Sequence, residues 1–175
     1  MILRILFFIF CYIPFLIVFV PLQFVVSRLG ISWNGIPRMF HWFGCTFLGM
    51  KVKVIGAPSH DRATLIVSNH VSWTDIIAVG SKADVTFVAK SEIQKWFFVG
   101  FMASLQRTLY VDRKKRSDAK RVSEEMGKRM ASGGAVLLFA EGQSDLGTHV
   151  LPFRSALIGA AQHAMEEAGA GEVMI

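Results

Sequence analysis

The hydrophobic positions of this chain follow two different patterns, and the first fills the N-terminus. The 23 residues between Arg4 and Arg28 carry no charge and are almost all apolar. About 20 such residues are enough for a helix to cross a bilayer. The run is apolar all round rather than along one stripe, unlike the surface helix of a soluble protein. We therefore predict a membrane segment, either spanning the bilayer or inserted in one leaflet.

Proline and aromatic residues refine this prediction. Pro14 and Pro21 would kink the helix, which suits a leaflet-inserted hairpin as well as a span. The apolar run is too long for a cleaved signal peptide, and no small-residue cleavage site follows it. Residues 31–49 hold two Trp and three Phe with few charges, a composition typical of the membrane interface.

From Lys51 onward, short apolar runs alternate with amphipathic ones, which is the second pattern. The predicted strands are 51–56, 63–68, 84–90, 107–113 and 135–140. The predicted helices are one that begins at 74, then 91–105, 117–134 and 155–171. Alternating strands and helices indicate an α/β domain with a mostly parallel or mixed sheet flanked by helices. We expect a membrane-anchoring segment over 1–49, with membrane-inserted helices, and the α/β domain over 50–175. The final "EVMI" resembles the start of a strand, so we expect a further C-terminal portion.

The helix predicted over 117–134 has the clearest amphipathic pattern. Ser117 is placed to cap its start, and Gly133 with Gly134 to end it. Its apolar face is predicted from helical spacing. That face comprises Ala119, Val122, Met126 and Met130.

Charge and cysteine content narrow the class of protein. The formal net charge is +6, which for a membrane protein favours anionic headgroups. The run 113–121 is basic, but Asp118, Glu124 and Glu125 share its helix and no recognition motif surrounds it, so nucleic acid is not an expected partner. Cys11 and Cys45 lie in apolar sequence, and no histidine or cysteine spacing typical of a metal site is present.

The stretch "SNHVSWTD" (68–75) allows two interpretations of His70 and Asp75. In the first, Ser72 caps a helix, Asp75 supports the cap, and His70 is an ordinary loop residue. In the second, a turn at 69–72 lets Asp75 on the first helical turn reach back to His70. A carboxylate paired with an imidazole makes a general base. Since no cysteine is nearby, such a base would deprotonate a substrate hydroxyl directly.

Other candidate residues follow predicted strands. Glu141 and Gly142 come after the buried-type run 135–140, where open α/β sheets bind ligands. The alternative is a strand-ending turn, with Gly142 at positive φ and Glu141 solvated. Three basic residues in equivalent positions would form an anion site if they cluster. They are Lys90, Arg113 and Arg154.

The order and spacing of these motifs resemble the 1-acylglycerol-3-phosphate acyltransferase family over about residues 50–160. The motifs are "SNHVSWTD", "FVAKSE", "LYVDR", "FAEG" and "LPFRSA". The resemblance implies the glycerolipid acyltransferase type of fold and a membrane enzyme that moves an acyl chain from acyl-CoA or acyl carrier protein to a lysophospholipid. The acyl donor is a substrate, and no cofactor is expected.

The resemblance also assigns roles to residues. It implies that His70 is the general base and that Asp75 orients it. Arg113, which ends the "LYVDR" motif, would bind the acceptor phosphate. Glu141 and Gly142 would shape the acceptor site. A fourth motif of the family would lie at or beyond Ile175.

One departure concerns the acceptor. After Glu-Gly the family usually has Thr or Ser, commonly followed by Arg, whereas Gln143 and Ser144 stand here. Arg154 would have to replace the missing arginine. The first expectation is acylation of 1-acylglycerol-3-phosphate to phosphatidic acid. The alternatives are another lyso-lipid such as lyso-ornithine lipid, which has no phosphate, or a non-catalytic module that binds anionic lipid through Lys114, Lys115 and Arg116. A serine hydrolase that uses Ser72 is disfavoured because no Gly-x-Ser-x-Gly elbow surrounds it.

The distribution of basic residues predicts the orientation. Positive charge is denser after the apolar run than before it, so the rest of the chain is expected on the cytoplasmic side, at the inner membrane of a bacterium. Before the run there is Arg4, and after it come Arg28, Arg38, Lys51 and Lys53.

Overall fold

A computed structural model of the chain describes residues 2–31, 35–56, 63–112, 114–153, 158, 159 and 166. Two compact units emerge: residues 1–57 with 73–84, and residues 58–72 with 85–175. The predicted boundary between residues 49 and 50 stays a prediction. The helix predicted over 155–171 lies almost wholly outside the described residues.

The first unit begins with a long apolar helix. It comprises α1 (Ile2–Phe7), a π-helical turn (Phe8–Tyr12) and α2 (Ile13–Arg28). Pro14 lacks an N–H group, and in the π-turn before it the N–H of Ile13 bonds the carbonyl of Phe8, five residues back. By length and composition, Ile2–Arg28 is able to cross a membrane as one helix.

Helix α3 (Gly35–Leu48) packs antiparallel against this first helix. The ring centroids of Phe8 and Phe47 are 4.7 Å apart, and those of Tyr12 and Phe43 are 5.6 Å apart. Going from Phe8 to Tyr12 along the first helix, the contacted residue of α3 moves back from Phe47 to Phe43, so the two helices run in opposite directions. Of the aromatic residues predicted at the membrane interface, Phe40, Trp42, Phe43 and Phe47 thus form contacts of a helical hairpin.

Helix α4 (Thr74–Gly80) completes the first unit and packs on α3. Two glycines allow the helices to approach closely, because a Cβ on Gly80 would overlap the ring of His41 and one on Gly44 would lie 3.2 Å from Ile77. The Cys45 thiol donates to the carbonyl of Ile77 at 3.6 Å. The same helix carries Asp75, so this packing fixes the backbone next to a predicted site residue.

Within the described residues, the second unit is built on a four-stranded parallel sheet. Its strands are β1 (Thr64–Ser68), β2 (Val85–Lys90), β3 (Leu109–Val111) and β4 (Ala135–Phe139). Their order across the sheet is β1-β4-β2-β3, and every pairing is parallel. The predicted α/β class is confirmed. Because the strands are parallel, the residues that follow them lie at one edge of the sheet.

One face of the sheet is covered by α6 (Arg116–Ala131). Val122, Met126 and Met130 are fully buried, as their helical spacing predicted, and pack against residues from all four strands. The strand residues of this core are Leu65, Val88, Leu109, Val111, Val136 and Leu138. Between β2 and β3 the unit has the 3-10 helix Ser91–Lys95 and α5 (Phe97–Leu105).

The end of α6 follows the predicted glycine signal. Gly133 adopts a φ of 84°, which is accessible to glycine at little cost. Its N–H bonds the carbonyl of Met130 at 2.9 Å, and the N–H of Gly134 bonds that of Arg129 at 3.0 Å. These two bonds form a Schellman motif, which satisfies carbonyls that the helix end leaves open.

Three local predictions were wrong. Residues 51–55 form no strand, because alternation alone does not supply a neighbouring strand for hydrogen bonding. The N-cap of α6 is Lys115 rather than Ser117, and its side chain makes no capping bond. The N-cap of α4 is Trp73 rather than Ser72, again without a side-chain capping bond. Shifts of one or two residues are common at helix ends, where the sequence signal is weak.

Candidate active site

His70 lies two residues after β1, at the edge of the sheet where the strands end. Its imidazole stacks on the ring of Phe139, the last residue of β4, with centroids 4.1 Å apart and planes 20° apart. Phe87 of β2 continues the stack at 6.4 Å from Phe139. The His70 ring is half-buried and its plane is set by an aromatic side chain of the neighbouring strand.

The backbone of His70 is held by the turn after β4. The N–H of His70 donates to Oε2 of Glu141 at 2.6 Å, and its carbonyl accepts the N–H of Asp145 at 3.0 Å. Both polar backbone groups of the histidine are therefore bonded to one neighbouring segment. This arrangement restricts where the imidazole sits relative to the sheet edge.

Glu141 is the residue that organises this turn. It is buried, and its second oxygen, Oε1, accepts the N–H of Leu151 at 2.7 Å. The interpretation of Glu141 as a solvated residue of a strand-ending turn is wrong, because its carboxylate is enclosed by two backbone donors. The positive φ expected of Gly142 is present, at 79°, and its N–H bonds the carbonyl of Phe139.

Asp145 and Leu151 are participants that sequence reasoning missed. They act through backbone N–H groups, so their side chains gave no signal in the sequence. The loop between them also passes close to the segment after His70, because a Cβ on Gly147 would lie 3.0 Å from Val71. The only available signal was an acidic residue placed directly after a buried strand.

Asp75 lies in the first turn of α4 and is half-buried. It belongs to the first unit, whereas His70 belongs to the second. The pairing of the Asp75 carboxylate with the His70 imidazole stays a prediction. The expected helix is present and begins at Thr74, but the turn expected at 69–72 is found only at Trp73.

The basic residues predicted at the sheet edge divide into two groups. Lys90 is the last residue of β2 and is exposed. Arg113 and Arg154 lie outside the described residues, so the predicted anion cluster stays a prediction.

The backbone just before Arg113 is held by α6. The N–H of Asp112 donates to Oδ2 of Asp118 at 2.6 Å, and the guanidinium of Arg121 donates to Oδ1 of Asp118 and to the carbonyl of Tyr110. The Asp112 N–H, followed by the Arg121 side chain, holds the pKa of Asp118 below its usual range. The helix thus fixes the end of β3, which directly precedes Arg113 in the sequence.

Several kinds of chemistry have no support in the described part of the chain. No group of three or more His, Cys, Asp or Glu residues there is placed to hold a metal ion. Cys11 and Cys45 are both free thiols, the first exposed and the second buried. The described residues instead place the imidazole of His70 at the edge of the sheet, with the backbone N–H and carbonyl of that residue both hydrogen-bonded.

Comparison with known proteins extends this picture. The family model described as "Acyltransferase" matches residues 51–175. The chain belongs to the acyltransferase family. The resemblance drawn from the order of the sequence motifs is thereby confirmed.

Relatives and a solved structure agree with this membership. The chain is 38% identical over 157 residues to the lyso-ornithine lipid O-acyltransferase of Brucella abortus, covering 89% of this chain and 59% of the relative. It is 35% identical to the enzyme of that name from Rhizobium meliloti, over 91% of this chain and 55% of the relative. The crystal structure of the 1-acyl-sn-glycerophosphate (LPA) acyltransferase PlsC from Thermotoga maritima matches with a TM-score of 0.65 and 25% identity, over 93% of this chain and 69% of that chain.

These matches identify the fold of this acyltransferase, and they cover only part of the length of its relatives. The parallel sheet with flanking helices is the fold of the PlsC structure. The chain spans less than three fifths of the length of the two lyso-ornithine lipid enzymes.

Proposed function

We propose that this acyltransferase moves a fatty acyl chain from a thioester donor to the free hydroxyl of a lyso-lipid. His70 takes the proton of the acceptor hydroxyl, and the oxygen attacks the thioester carbonyl. The C–S bond then breaks, an ester C–O bond remains, and the proton passes from the imidazolium to the leaving thiolate. Asp75 orients the imidazole and stabilises its charged form. The donor, acyl-CoA or acyl carrier protein, is a substrate, and the proposed reaction uses no cofactor.

The observation that carries this proposal is the fixed position of His70. Its N–H and carbonyl are bonded to the turn after β4, and its ring is stacked on Phe139. A general base works well only when it is held within hydrogen-bonding reach of the proton that it removes.

For the acceptor we favour lyso-ornithine lipid. Two relatives that match about nine tenths of this chain carry that name. Gln143 and Ser144, both exposed, stand where the family commonly has a residue pair that includes arginine. A neutral loop suits an acceptor without a phosphate better than one that carries it.

The second candidate acceptor is 1-acylglycerol-3-phosphate. One enzyme named for that reaction, from Neisseria gonorrhoeae, matches at 33% identity over 60% of this chain and 41% of its own length, and the PlsC structure has the same fold. Lys90 is exposed at the sheet edge and would supply positive charge for a phosphate.

The location proposed for the reaction is a membrane surface. Helix Ile2–Arg28 has the length and composition to anchor the chain where lyso-lipids are found. The excess of Arg and Lys after that helix supports a cytoplasmic location for the α/β domain, at a bacterial inner membrane.

The test is acyl transfer by the purified full chain. The protein is incubated with labelled acyl-CoA or acyl carrier protein and with lyso-ornithine lipid or 1-acylglycerol-3-phosphate, and products are identified by mass spectrometry. We expect His70→Ala to abolish transfer while its melting temperature and vesicle binding stay at parent values. Lys128→Ala, on the exposed side of α6, is the control and should keep full activity.

Two outcomes would contradict the proposal. Undiminished turnover by a folded His70→Ala variant would remove His70 as the base. Absence of transfer with every acceptor, together with vesicle binding that depends on Lys114, Lys115 and Arg116, would favour the non-catalytic lipid-binding module.

A further inference from the structure

An exposed group of aromatic and aliphatic side chains stands at the start of α5. Phe97 is 95% exposed, and the others are between 43% and 59% exposed. We name this group the aromatic tip; it consists of Trp96, Phe97, Phe98, Val99 and Phe101. Soluble proteins seldom leave so many large apolar side chains in water next to one another, and such patches mark interaction surfaces.

The contacts on the inner side of α5 keep the aromatic tip exposed at the surface. Gly100 allows α5 to approach the preceding 3-10 helix, because a Cβ there would overlap the carbonyl of Gln94. The carbonyl of Gly100 accepts bonds from the hydroxyls of Ser104 at 2.8 Å and Tyr110 at 3.1 Å. Met102 is buried further along the same helix. The inner side of α5 is therefore packed and hydrogen-bonded, while the side chains of the aromatic tip stay exposed.

The charges beside the aromatic tip are mainly positive. The 3-10 helix that leads into it follows Lys90 and ends at Lys95, and both lysines are exposed. Glu92 is the acidic residue between them. The tip also follows β2 in the chain, so it starts from the same edge of the parallel sheet as His70.

We propose that the aromatic tip inserts into the headgroup region of an anionic lipid bilayer, as a membrane contact separate from the helix Ile2–Arg28. Trp and Phe rings favour this region, and neighbouring lysines are attracted to anionic headgroups. A second copy of this chain is a poorer occupant, since it carries the same net charge of +6 and the same lysines. The inference does not depend on acyl transfer.

The experiment measures whether Trp96 meets lipid. The full chain is reconstituted in phosphatidylcholine vesicles with or without phosphatidylglycerol, using acyl chains brominated near the headgroup, which quench nearby tryptophan. The chain has four Trp residues, so the Trp96 component is the difference in emission between the parent and Trp96→Phe. We expect that component to be quenched by brominated lipid, more strongly when phosphatidylglycerol is present at low salt.

A charged variant and its control complete the design. Phe97→Asp with Phe98→Asp should abolish quenching of Trp96, whereas Ile55→Asp, at a site 87% exposed in the other unit, should leave it unchanged. Because all three side chains are exposed, the variants should keep the parent's circular dichroism and melting temperature. Their Trp96 components are each measured against the same variant carrying Trp96→Phe.

Three results would overturn the inference. The first is a Trp96 component that brominated lipid does not quench. The second is quenching that survives in the double aspartate variant. The third is a Trp96 that brominated lipid does not quench but that is shielded from acrylamide, with a shielding that increases as the protein density in the vesicles rises. That result would assign the aromatic tip to contact with a second copy of the chain. Since acyl transfer is not measured, none of these results bears on the proposed reaction.

Discussion

Oε2 of Glu141 accepts the backbone N–H of His70 at 2.6 Å, and this bond joins the segment after β1 to the turn after β4. The two residues are 71 positions apart in sequence, and adjacent parallel strands bring them together. The glutamate thus has a structural function at the site that its position after a strand did not reveal: it holds the backbone of the proposed base.

Replacing this carboxylate should affect both stability and activity. Glu141→Gln turns one acceptor oxygen into a donor facing a backbone N–H, and a buried unsatisfied group costs about 1–3 kcal/mol. We expect the free energy of unfolding to fall by about that amount. Acyl transfer should fall by about tenfold or more, because about 1.4 kcal/mol of lost positioning is a factor of ten. Denaturant unfolding and initial rates measure the two effects.

The control for this variant is Glu124→Gln on α6, where the glutamate side chain is 48% exposed in a pair with Lys120. Exposed pairs of this kind contribute little, so stability should change by less than about 1 kcal/mol. Equal losses in the two variants would show that the buried bonds of Glu141 contribute nothing particular.

Asp118 should make stability depend on pH. Its folded pKa is lowered, first by the Asp112 N–H and then by Arg121, so the unfolded chain binds a proton at a higher pH than the folded chain does. The resulting stability is present above the unfolded pKa, near pH 4, and is lost as pH falls through the lower folded value. The parent should exceed Asp118→Asn in stability at neutral pH, and the gap should narrow below about pH 4.

Chemical unfolding across this pH range measures the gap between the two proteins. Glu92→Gln removes an exposed carboxylate and serves as the matched control. Its difference from the parent should stay small at every pH. A gap for Asp118→Asn that stays constant from neutral to acid pH would contradict the proposed bonding.

The contact between α3 and α4 should be sensitive to one methyl group. A Cβ on Gly80 would overlap the His41 ring, whereas one on Gly44 would meet the flexible end of Ile77 at 3.2 Å. Overpacking in a tight contact costs about 1–3 kcal/mol, so Gly80→Ala should lower the melting temperature in detergent. Gly44→Ala should lower it less, and the reverse order would argue against this packing.

The burial of α6 gives a graded prediction. Met126 is fully buried against the sheet, and truncation of such a side chain costs about 2–5 kcal/mol. Met126→Ala should therefore reduce the unfolding free energy by that amount, as measured in denaturant. Lys120→Ala, at an exposed site of the same helix, should change it by less than about 1 kcal/mol. A small loss for Met126→Ala would mean that this face does not form the core.

Local patterns were enough to predict the main elements. The apolar runs around Leu65 and Val136 became parallel strands because they were short, apolar and bounded by turn residues. The spacing of Val122, Met126 and Met130 predicted the buried face of α6, since helix periodicity depends on the chain alone. The order of the motifs identified the family because that order, like helix periodicity, is a property of the sequence alone.

Contacts between distant segments required the tertiary structure. Alternation over 51–56 predicted a strand that does not form, since a strand needs a partner that local sequence does not specify. Local sequence left Glu141 either at a ligand site or solvated in a strand-ending turn, and its burial depends on the pairing of β4 with β1. The bond from Asp145 to His70 uses a backbone N–H, which every residue but proline possesses, so only the fold selects it. Side-chain chemistry and periodicity are local properties, whereas burial and backbone pairing are decided by which segments the fold brings together.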